Sequence, residues 1–217
     1  MKMAKFAALV FDLDGTLSDS VPMILRSSLA THEKMGLPWD EEQAKSFIGR
    51  PMYETAAEFA PGREQEYMDN FREYNFLYIP KMIRPFAGIP TLIAKLQEAE
   101  VPMCIVTSRL QWGADWSAEI LGIQSYFTKI CGVEASQKHK PDPEPALLAL
   151  AEMGIAPEQA KNTAFIGDAP VDIACGRAAG MQTIGVGWGV GGKDSLLAAG
   201  ADYYVEDVNA LARLLLL

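Results

Sequence analysis

Short apolar runs alternate with helical patterns along the chain, and this alternation restricts the possible fold more than any other feature. The first run, residues 6–11 (FAALVF), is continuous, as in a strand buried on both faces of a sheet. Five more runs follow: Met103–Val106, Ile130–Cys131, Ala164–Ile166, Thr183–Val186 and the weaker Tyr203–Val205. The helical patterns between the later runs each end in glycine: Asp115–Gly122, Pro145–Gly154 and Val171–Gly180. This order predicts an α/β fold with a Rossmann-like parallel sheet and helices on both of its faces.

A long insertion separates the first two predicted strands. The gap is about ninety residues, far more than a crossover between neighbouring strands needs. The insertion is helical throughout: Asp40 is a predicted N-cap, and a helix predicted over residues 63–78 should stop at Pro80. The apolar face predicted for the first helix consists of Val21, Leu25, Leu29, His32 and Met35. We therefore predict an α/β catalytic core, residues 1–16 and 85–217, into which residues 17–84 insert as a helical cap.

The composition excludes several classes of protein. A formal net charge of -9 argues against nucleic acid as the main partner, because binding to a phosphate backbone needs a basic surface. The three cysteines are too scattered for a disulfide framework or a zinc site, which favours free thiols in a reducing cytoplasm. Lys2 and Lys5 precede an apolar run as in a signal peptide, but the run ends at Asp12 without a small-residue cleavage site. No stretch is long enough to cross a membrane, so we expect a cytoplasmic protein without a membrane partner; the oligomeric state is left open.

The strongest chemical signal is Asp12-Leu13-Asp14-Gly15-Thr16, directly after the first predicted strand. Ligands of parallel α/β sheets bind at the carboxyl ends of strands, so both carboxylates stand where a ligand would lie. Two carboxylates two residues apart repel each other unless a cation lies between them. Asp and Gly are also common turn formers after strands, so this motif alone leaves a purely structural role open.

The ends of the other predicted strands also carry polar side chains. Thr107 and Ser108 follow the second strand and offer a hydroxyl and backbone donors to an anion, although both residue types also cap helices. Lys140 follows the third strand, where a lysine is usually a solvated charge. Asp168 and Asp172 follow the fourth strand, and a helix cap would explain one of them but not the pair. Their convergence on one edge of the sheet predicts a functional site there.

These motifs, in this order, resemble those of the haloacid dehalogenase superfamily. The matching residues are Asp12-x-Asp14-Gly15-Thr16, Thr107-Ser108, Lys140 and Gly167-Asp168-x-x-x-Asp172. The resemblance covers nearly the whole chain, including the insertion, where the superfamily's small α-helical cap belongs. Within the superfamily, the segments similar to phosphoglycolate phosphatases are residues 11–20 (FDLDGTLSDS), 140–145 (KPDPEP), 185–189 (GVGWG) and 198–202 (AAGAD). The motifs are specific for the superfamily but not for the substrate.

The resemblance implies a magnesium-dependent phosphatase that acts on a small phosphorylated metabolite such as phosphoglycolate. Asp12 would be the nucleophile that forms an aspartyl phosphate, and Asp14 would be the general acid and base. Magnesium would be bound by the Asp12 carboxylate, the Asp14 backbone carbonyl and Asp168, with Asp172 close by or acting through water. The groups implied to hold the phosphoryl oxygens and offset their charge are the Thr107 hydroxyl, the Ser108 backbone and Lys140.

Two arginines carry less definite expectations. Arg50 lies in Ile48-Gly49-Arg50-Pro51, between two predicted cap helices, and superfamily mutases have an arginine there that contacts substrate phosphate. We predict that Arg50 contacts the non-reacting end of the substrate, although an arginine at a helix boundary is usually solvated. Arg109 stands where many relatives have the lysine of Thr-Asn-Lys, which leaves its role open. Asp14 argues against halide displacement, because the superfamily's dehalogenases lack an acid at that position.

Other functions share these motifs. A sugar-phosphate mutase of the β-phosphoglucomutase type would return the phosphoryl group to bound product, and a pyrophosphatase would cleave an anhydride. A signalling receiver domain also combines carboxylates, threonine and lysine at strand ends. Receivers are shorter, however, place the acceptor after a later strand, and lack a large helical insertion after the first. Turnover of a generic aryl phosphate would separate an enzyme from a receiver.

Overall fold

Six strands form one parallel sheet in the computed structural model, which describes residues 4–216. The strands are β1 (Leu9–Phe11), β2 (Met103–Val106), β3 (Lys129–Cys131), β4 (Ala164–Gly167), β5 (Gln182–Val186) and β6 (Tyr203–Val205). Their spatial order is β3-β2-β1-β4-β5-β6, and every pairing is parallel. The predicted α/β fold with a Rossmann-like sheet is therefore confirmed. Lys2 of the N-terminal pattern and Leu217 lie outside the described residues.

Helices connect the strands and supply the insertion. Those of the insertion are α1 (Val21–Met35), α2 (Glu41–Ser46), α3 (Met52–Phe59) and α4 (Glu64–Met82). Those of the remaining chain are α5 (Ile89–Glu98), α6 (Gln111–Ile120), α7 (Glu144–Glu152), α8 (Pro170–Ala178), α9 (Lys193–Ala198) and α10 (Val208–Leu215). Within residues 4–216, no helix combines the length and the apolar character that crossing a bilayer requires.

The sheet is buried on both faces because its side chains alternate between two apolar cores. Leu9 and Phe11 face one core, which receives side chains from α5, α6 and α10, while Val10 faces the other. The second core receives side chains from α7 and α8. This explains why the strands are continuous apolar runs instead of alternating ones. The three cysteines are buried free thiols, as predicted.

The insertion joins the rest of the chain through two adjacent segments. Residues 17–19 and 84–86 run antiparallel, since the Asp19 amide donates to the Arg84 carbonyl at 2.8 Å and Ser18 bridges Pro85. Beyond this point α1 and α3 pack against α4, and the Asp40 carboxylate caps α2 as predicted by accepting from the Gln43 amide at 3.1 Å. The division into a core and a cap at residues 17–84 stays a prediction.

One helical expectation in the insertion was wrong, and a second was confirmed only in part. Helix α4 does not stop at Pro80 but continues to Met82, because Ile79 and Ile83 are fully buried and the Ile83 amide donates to the Ile79 carbonyl at 3.1 Å. Packing of these two isoleucines outweighs the hydrogen bond that the proline removes near the end of the helix. On the predicted apolar face of α1, His32 and Met35 are buried, whereas Val21, Leu25 and Leu29 are only partly buried. The other buried side chains of α1 are Met23, Ser27, Ser28, Ala30 and Thr31.

Candidate active site

The site lies where the strand order reverses. Strands β1 and β4 are neighbours there, and the residues that follow them are Asp12 and Asp168. The Asp12 amide still donates to the Ile166 carbonyl at 2.9 Å, so the sheet fixes the backbone of Asp12. In open parallel sheets the crevice outside the carboxyl ends at such a switch point is the place where ligands bind.

Lys140 reaches this point from the segment after β3. Its Nζ atom lies 2.6 Å from Oδ1 of Asp12 and 2.7 Å from Oδ1 of Asp172. The three side chains are almost completely buried, with exposed fractions of 2%, 5% and 1% for Lys140, Asp12 and Asp172. Burial by itself lowers the pKa of Lys140, but the two carboxylates outweigh it and raise that pKa above its usual value. Lys140 is therefore a permanent cation against the oxygen of Asp12.

Asp168 is held by the segment that follows β5. Its Oδ1 accepts a hydrogen bond from the Thr16 hydroxyl at 3.1 Å, and its Oδ2 accepts one from the Val190 amide at 2.8 Å. Gly15, with a φ of +87°, and Gly189 both lie so close that a Cβ on either would overlap the Asp168 carboxylate. Sequence reasoning missed the role of Gly189 and Val190, although the run of glycines from residue 185 to 192 was the signal for it.

The three carboxylates fit a divalent cation. One oxygen from each of Asp12, Asp168 and Asp172 lies within 4.8 Å of the others, and all three residues are buried. Three carboxylates against the one ammonium of Lys140 leave two negative charges uncompensated. Burial, with the neighbouring carboxylates, raises the pKa of Asp12 well above its ordinary value and that of Asp168 to about 7. An all-oxygen site with this deficit of positive charge suits Mg²⁺.

Asp14 is paired with Arg109, whose role the sequence left open. The Arg109 guanidinium donates from Nη2 to Oδ1 and from Nε to Oδ2, the latter at 3.0 Å, and the Ser20 hydroxyl donates to Oδ1 at 2.6 Å. Arg109 also donates from Nη1 to the Asn75 side-chain oxygen on α4 at 3.1 Å. Arg109 therefore links the carboxylate of Asp14 to the helical insertion.

Thr107 and Ser108 follow β2 and face the same region. The Thr107 hydroxyl oxygen accepts a hydrogen bond from the Arg109 amide at 3.2 Å, and among the described residues its O–H has no acceptor. The Ser108 hydroxyl donates to the Gly49 carbonyl of the insertion at 2.7 Å. Within residues 4–216, the Ser108 backbone amide donates to no acceptor. Both residues can therefore offer one hydrogen-bond donor to an anion beside Asp12.

A cavity of about 190 Å³ lies between these strand ends and the insertion. Asp12, Asp14, Thr107 and Ser108 line it, and Arg50 lines it from the insertion. The Arg50 guanidinium stacks over the Phe47 ring, 4.9 Å from its centroid. Lys140, Asp168 and Asp172 lie buried beside Asp12. The structure thus brings together all the residues singled out by the sequence, while their chemical roles remain predictions.

Comparison with known proteins gives the family of the chain. Residues 9–186 match the model of the haloacid dehalogenase-like hydrolases. The chain belongs to that family. Pyrophosphatase PpaX of Bacillus velezensis is 31% identical to it over 209 residues, which are 95% of this chain and 95% of that protein. Pyrophosphatase PpaX of Listeria innocua is 30% identical over 210 residues, again 95% of each chain.

Solved structures share the fold over the whole length. A haloacid dehalogenase-like family hydrolase from Streptococcus pneumoniae has a TM-score of 0.84, with 28% sequence identity over 96% of this chain and 98% of its own. The predicted enzyme class, a hydrolase of the haloacid dehalogenase superfamily, is therefore confirmed. Relatives named as pyrophosphatases agree with hydrolysis at phosphorus, the reaction type expected of that class.

Proposed function

We propose that this protein is a magnesium-dependent phosphatase that hydrolyses a small phosphorylated metabolite through an aspartyl phosphate on Asp12. The observation that carries the proposal is the position of Asp12. It lines the cavity at the end of β1, while Lys140 is hydrogen-bonded to its Oδ1 at 2.6 Å. Within the described residues, Oδ2 of Asp12 accepts no hydrogen bond, which leaves it available to attack phosphorus.

The reaction divides into two displacements at phosphorus. An oxygen of Asp12 forms a bond to phosphorus as the bond from phosphorus to the ester oxygen breaks, and Asp14 gives its proton to that leaving oxygen. Water then attacks the phosphoryl group, Asp14 takes the proton of the water, and the bond to Asp12 breaks to release phosphate. Asp14 suits both steps because its carboxylate lines the same cavity as Asp12.

The remaining residues position the phosphoryl group. The Thr107 hydroxyl and the Ser108 amide donate to its oxygens, and Lys140 offsets charge on Asp12 and on the phosphate. Mg²⁺ would be held by the Asp12 carboxylate, the Asp14 backbone carbonyl and Asp168, with Asp172 orienting Lys140 close by. When bound, Mg²⁺ supplies positive charge that stabilises the negative charge developing on the phosphoryl oxygens.

Two compact substrates are supported by different observations. Sequence similarity to phosphoglycolate phosphatases favours a phosphorylated acid of that kind. The curated relatives at 30–31% identity, which are named pyrophosphatases, favour pyrophosphate as a second candidate. Phosphate release from a panel of phosphorylated metabolites, with pyrophosphate included, distinguishes them.

The decisive experiment compares Asp12→Asn with wild type on the best substrate of that panel. We expect loss of turnover without loss of the fold, because an amide does not supply the attacking oxygen. Asp19→Asn is the matched control, since Asp19 is exposed and seven residues away. A chelator should abolish wild-type activity, Mg²⁺ should restore it, and Ca²⁺ should restore it poorly because calcium prefers more ligands in a looser geometry. Wild-type rates in Asp12→Asn would exclude Asp12 as the nucleophile, and full activity after chelation would exclude the metal.

A further inference from the structure

The cavity beside Asp12 has two chemically different parts. Its polar part is formed by the strand-end residues already described. The rest is formed by side chains that we call the apolar wall: Ile24, Phe47, Met52, Met68, Phe71 and Trp112. These side chains come from helices α1, α3, α4 and α6 and from the segment that follows α2, so separate elements of the chain converge on one apolar surface.

The apolar wall is not simply part of a closed core. Phe47, Met52, Met68 and Phe71 are only partly buried, and Trp112 is 36% exposed. Each of these side chains contributes surface to the cavity that Asp12, the proposed nucleophile, also lines. Keeping such a surface in water is unfavourable in proportion to its area. A ligand that covers it gains the corresponding free energy.

The cations of the cavity give little support to a second anion deep inside it. Among the described lining residues the basic ones are Arg50, Arg72 and Arg109. Arg109 is bound to Asp14 and Asn75, and Arg72 is exposed and pairs with Asp69 at 3.3 Å. Arg50 is exposed and stacks on Phe47. A small, fully ionic substrate would leave the apolar wall uncovered. Among the described lining residues, its second anion would find the exposed Arg50 and Arg72, or Arg109 once that guanidinium has left Asp14.

We propose, on the basis of the proposed phosphatase function, that the substrate is a phosphate monoester of an alcohol with an aromatic or alkyl body that covers the apolar wall. Hydrolysis breaks the bond between phosphorus and the ester oxygen, water supplies the new oxygen of phosphate, and the apolar alcohol leaves. On this proposal pyrophosphate and phosphoglycolate, the two candidates that similarity supports, are turned over more slowly than such an ester, because neither has an apolar part.

The test is kcat/KM, measured as phosphate release with Mg²⁺, for ethyl, butyl and hexyl phosphate, with pyrophosphate and phosphoglycolate assayed beside them. The leaving alcohols of the alkyl series have nearly the same acidity, so differences report binding of the alkyl body. Hexyl phosphate should exceed ethyl phosphate at least about tenfold, since each methylene removed from water contributes about fourfold, or about 0.8 kcal/mol. The kcat/KM for hexyl phosphate should also exceed the values for pyrophosphate and phosphoglycolate.

A matched pair of variants locates the effect. Met68→Gln makes one position of the apolar wall polar at nearly constant volume, and it should lower the hexyl-to-ethyl ratio at least about threefold. Met153→Gln is the control: like Met68, Met153 is partly buried and packs against an apolar core, but that core is the one formed with α7 and α8, and Met153 does not line the cavity. The hexyl-to-ethyl ratio of Met153→Gln should equal that of wild type. An equal fall in both variants would argue against the apolar wall.

The outcomes separate this inference from the proposed function. A hexyl-to-ethyl ratio below tenfold, or faster turnover of pyrophosphate or phosphoglycolate than of hexyl phosphate, overturns the apolar substrate class while leaving the phosphatase intact. Absence of Asp12-dependent phosphate release from these compounds and from the whole metabolite panel overturns the phosphatase, and the inference with it.

Discussion

Asp14 must give and take a proton, yet in this structure it is an ion-paired carboxylate. Burial alone would raise the pKa of Asp14, but the charge and hydrogen bonds of Arg109, with the Ser20 hydroxyl, outweigh burial and hold that pKa below its usual value. Protonation of a leaving group therefore requires Arg109 to move away from Asp14 or a substrate to displace it. Because Arg109 also binds Asn75 on α4, its position is tied to that of the insertion.

Asp14→Asn tests the acid role through the acidity of the leaving group. We expect kcat/KM for an alkyl phosphate to fall by about 10² to 10⁴, the usual contribution of general acid catalysis. For 4-nitrophenyl phosphate the fall should be much smaller, because nitrophenolate leaves without a proton. Steady-state kinetics on both esters make the comparison. Equal losses of kcat/KM on both esters would mean that Asp14 supports the structure of the site and does not act as the general acid.

Arg50→Ala tests whether this exposed arginine contacts the non-reacting end of the substrate. For a phosphate ester that carries a second anion, kcat/KM should fall roughly thirtyfold, or about 2 kcal/mol, the scale of a charge-assisted hydrogen bond. The rate with an aryl phosphate without that anion should hardly change. Equal losses on both esters would assign Arg50 to support of the insertion, and no loss on either would return it to the solvated surface.

At the residue scale, much of the site could be predicted because its residues follow the predicted strands. Asp12, Lys140 and Asp168 follow buried apolar runs, and parallel strands place their carboxyl ends at one edge. What could not be predicted were contacts between side chains distant in sequence. The pairing of Arg109 with Asp14 spans 95 positions and depends on the fold of both segments.

At the scale of elements, buried hydroxyls limited what the sequence could predict about helix α1. The Ser27 and Thr31 side chains are fully buried because each donates to the carbonyl four residues earlier, at 3.0 Å and 2.8 Å. Apolar periodicity treats such residues as surface, so it selected Val21, Leu25 and Leu29, which are only partly buried. The strands were predicted more closely, since β2 and β6 have the predicted bounds, whereas β1 pairs only from Leu9.

Ser108→Ala tests the tie between the segment after β2 and the insertion. It removes the hydroxyl that donates to the Gly49 carbonyl but keeps the backbone amide. We expect the free energy of unfolding to fall by about 1 kcal/mol and amide hydrogen exchange to accelerate at residues 47–51. The matched control is Ser195→Ala, because Ser195 makes a similar bond to the Gly192 carbonyl at 2.8 Å on an exposed surface. Unchanged exchange at residues 47–51 would show that the Ser108 bond does not hold this segment.

At the scale of the whole molecule, the cluster of buried carboxylates around Asp168 couples folding to proton binding and to metal binding. Asp168 has a pKa of about 7 in the folded protein without metal, against an ordinary value of 3.8, because burial and Asp172 disfavour its charged form. Its contribution to stability is therefore fully present below about pH 4 and is lost as pH rises through 7. In that window the metal-free protein should lose up to about 1.4 kcal/mol of unfolding free energy per pH unit from this residue.

Magnesium should reverse this dependence, because it binds the ionised carboxylates that protons otherwise neutralise. We expect the gain in unfolding free energy between chelator and saturating Mg²⁺ to grow as pH rises from 5 to 8. Urea unfolding in both conditions at each pH measures that gain, and groups outside the cluster cancel in the difference. Asp168→Asn should reduce both the gain and its pH dependence, whereas Asp194→Asn, at an exposed position on α9, should change neither. A gain that is constant or falls with rising pH would contradict a cation held by these carboxylates.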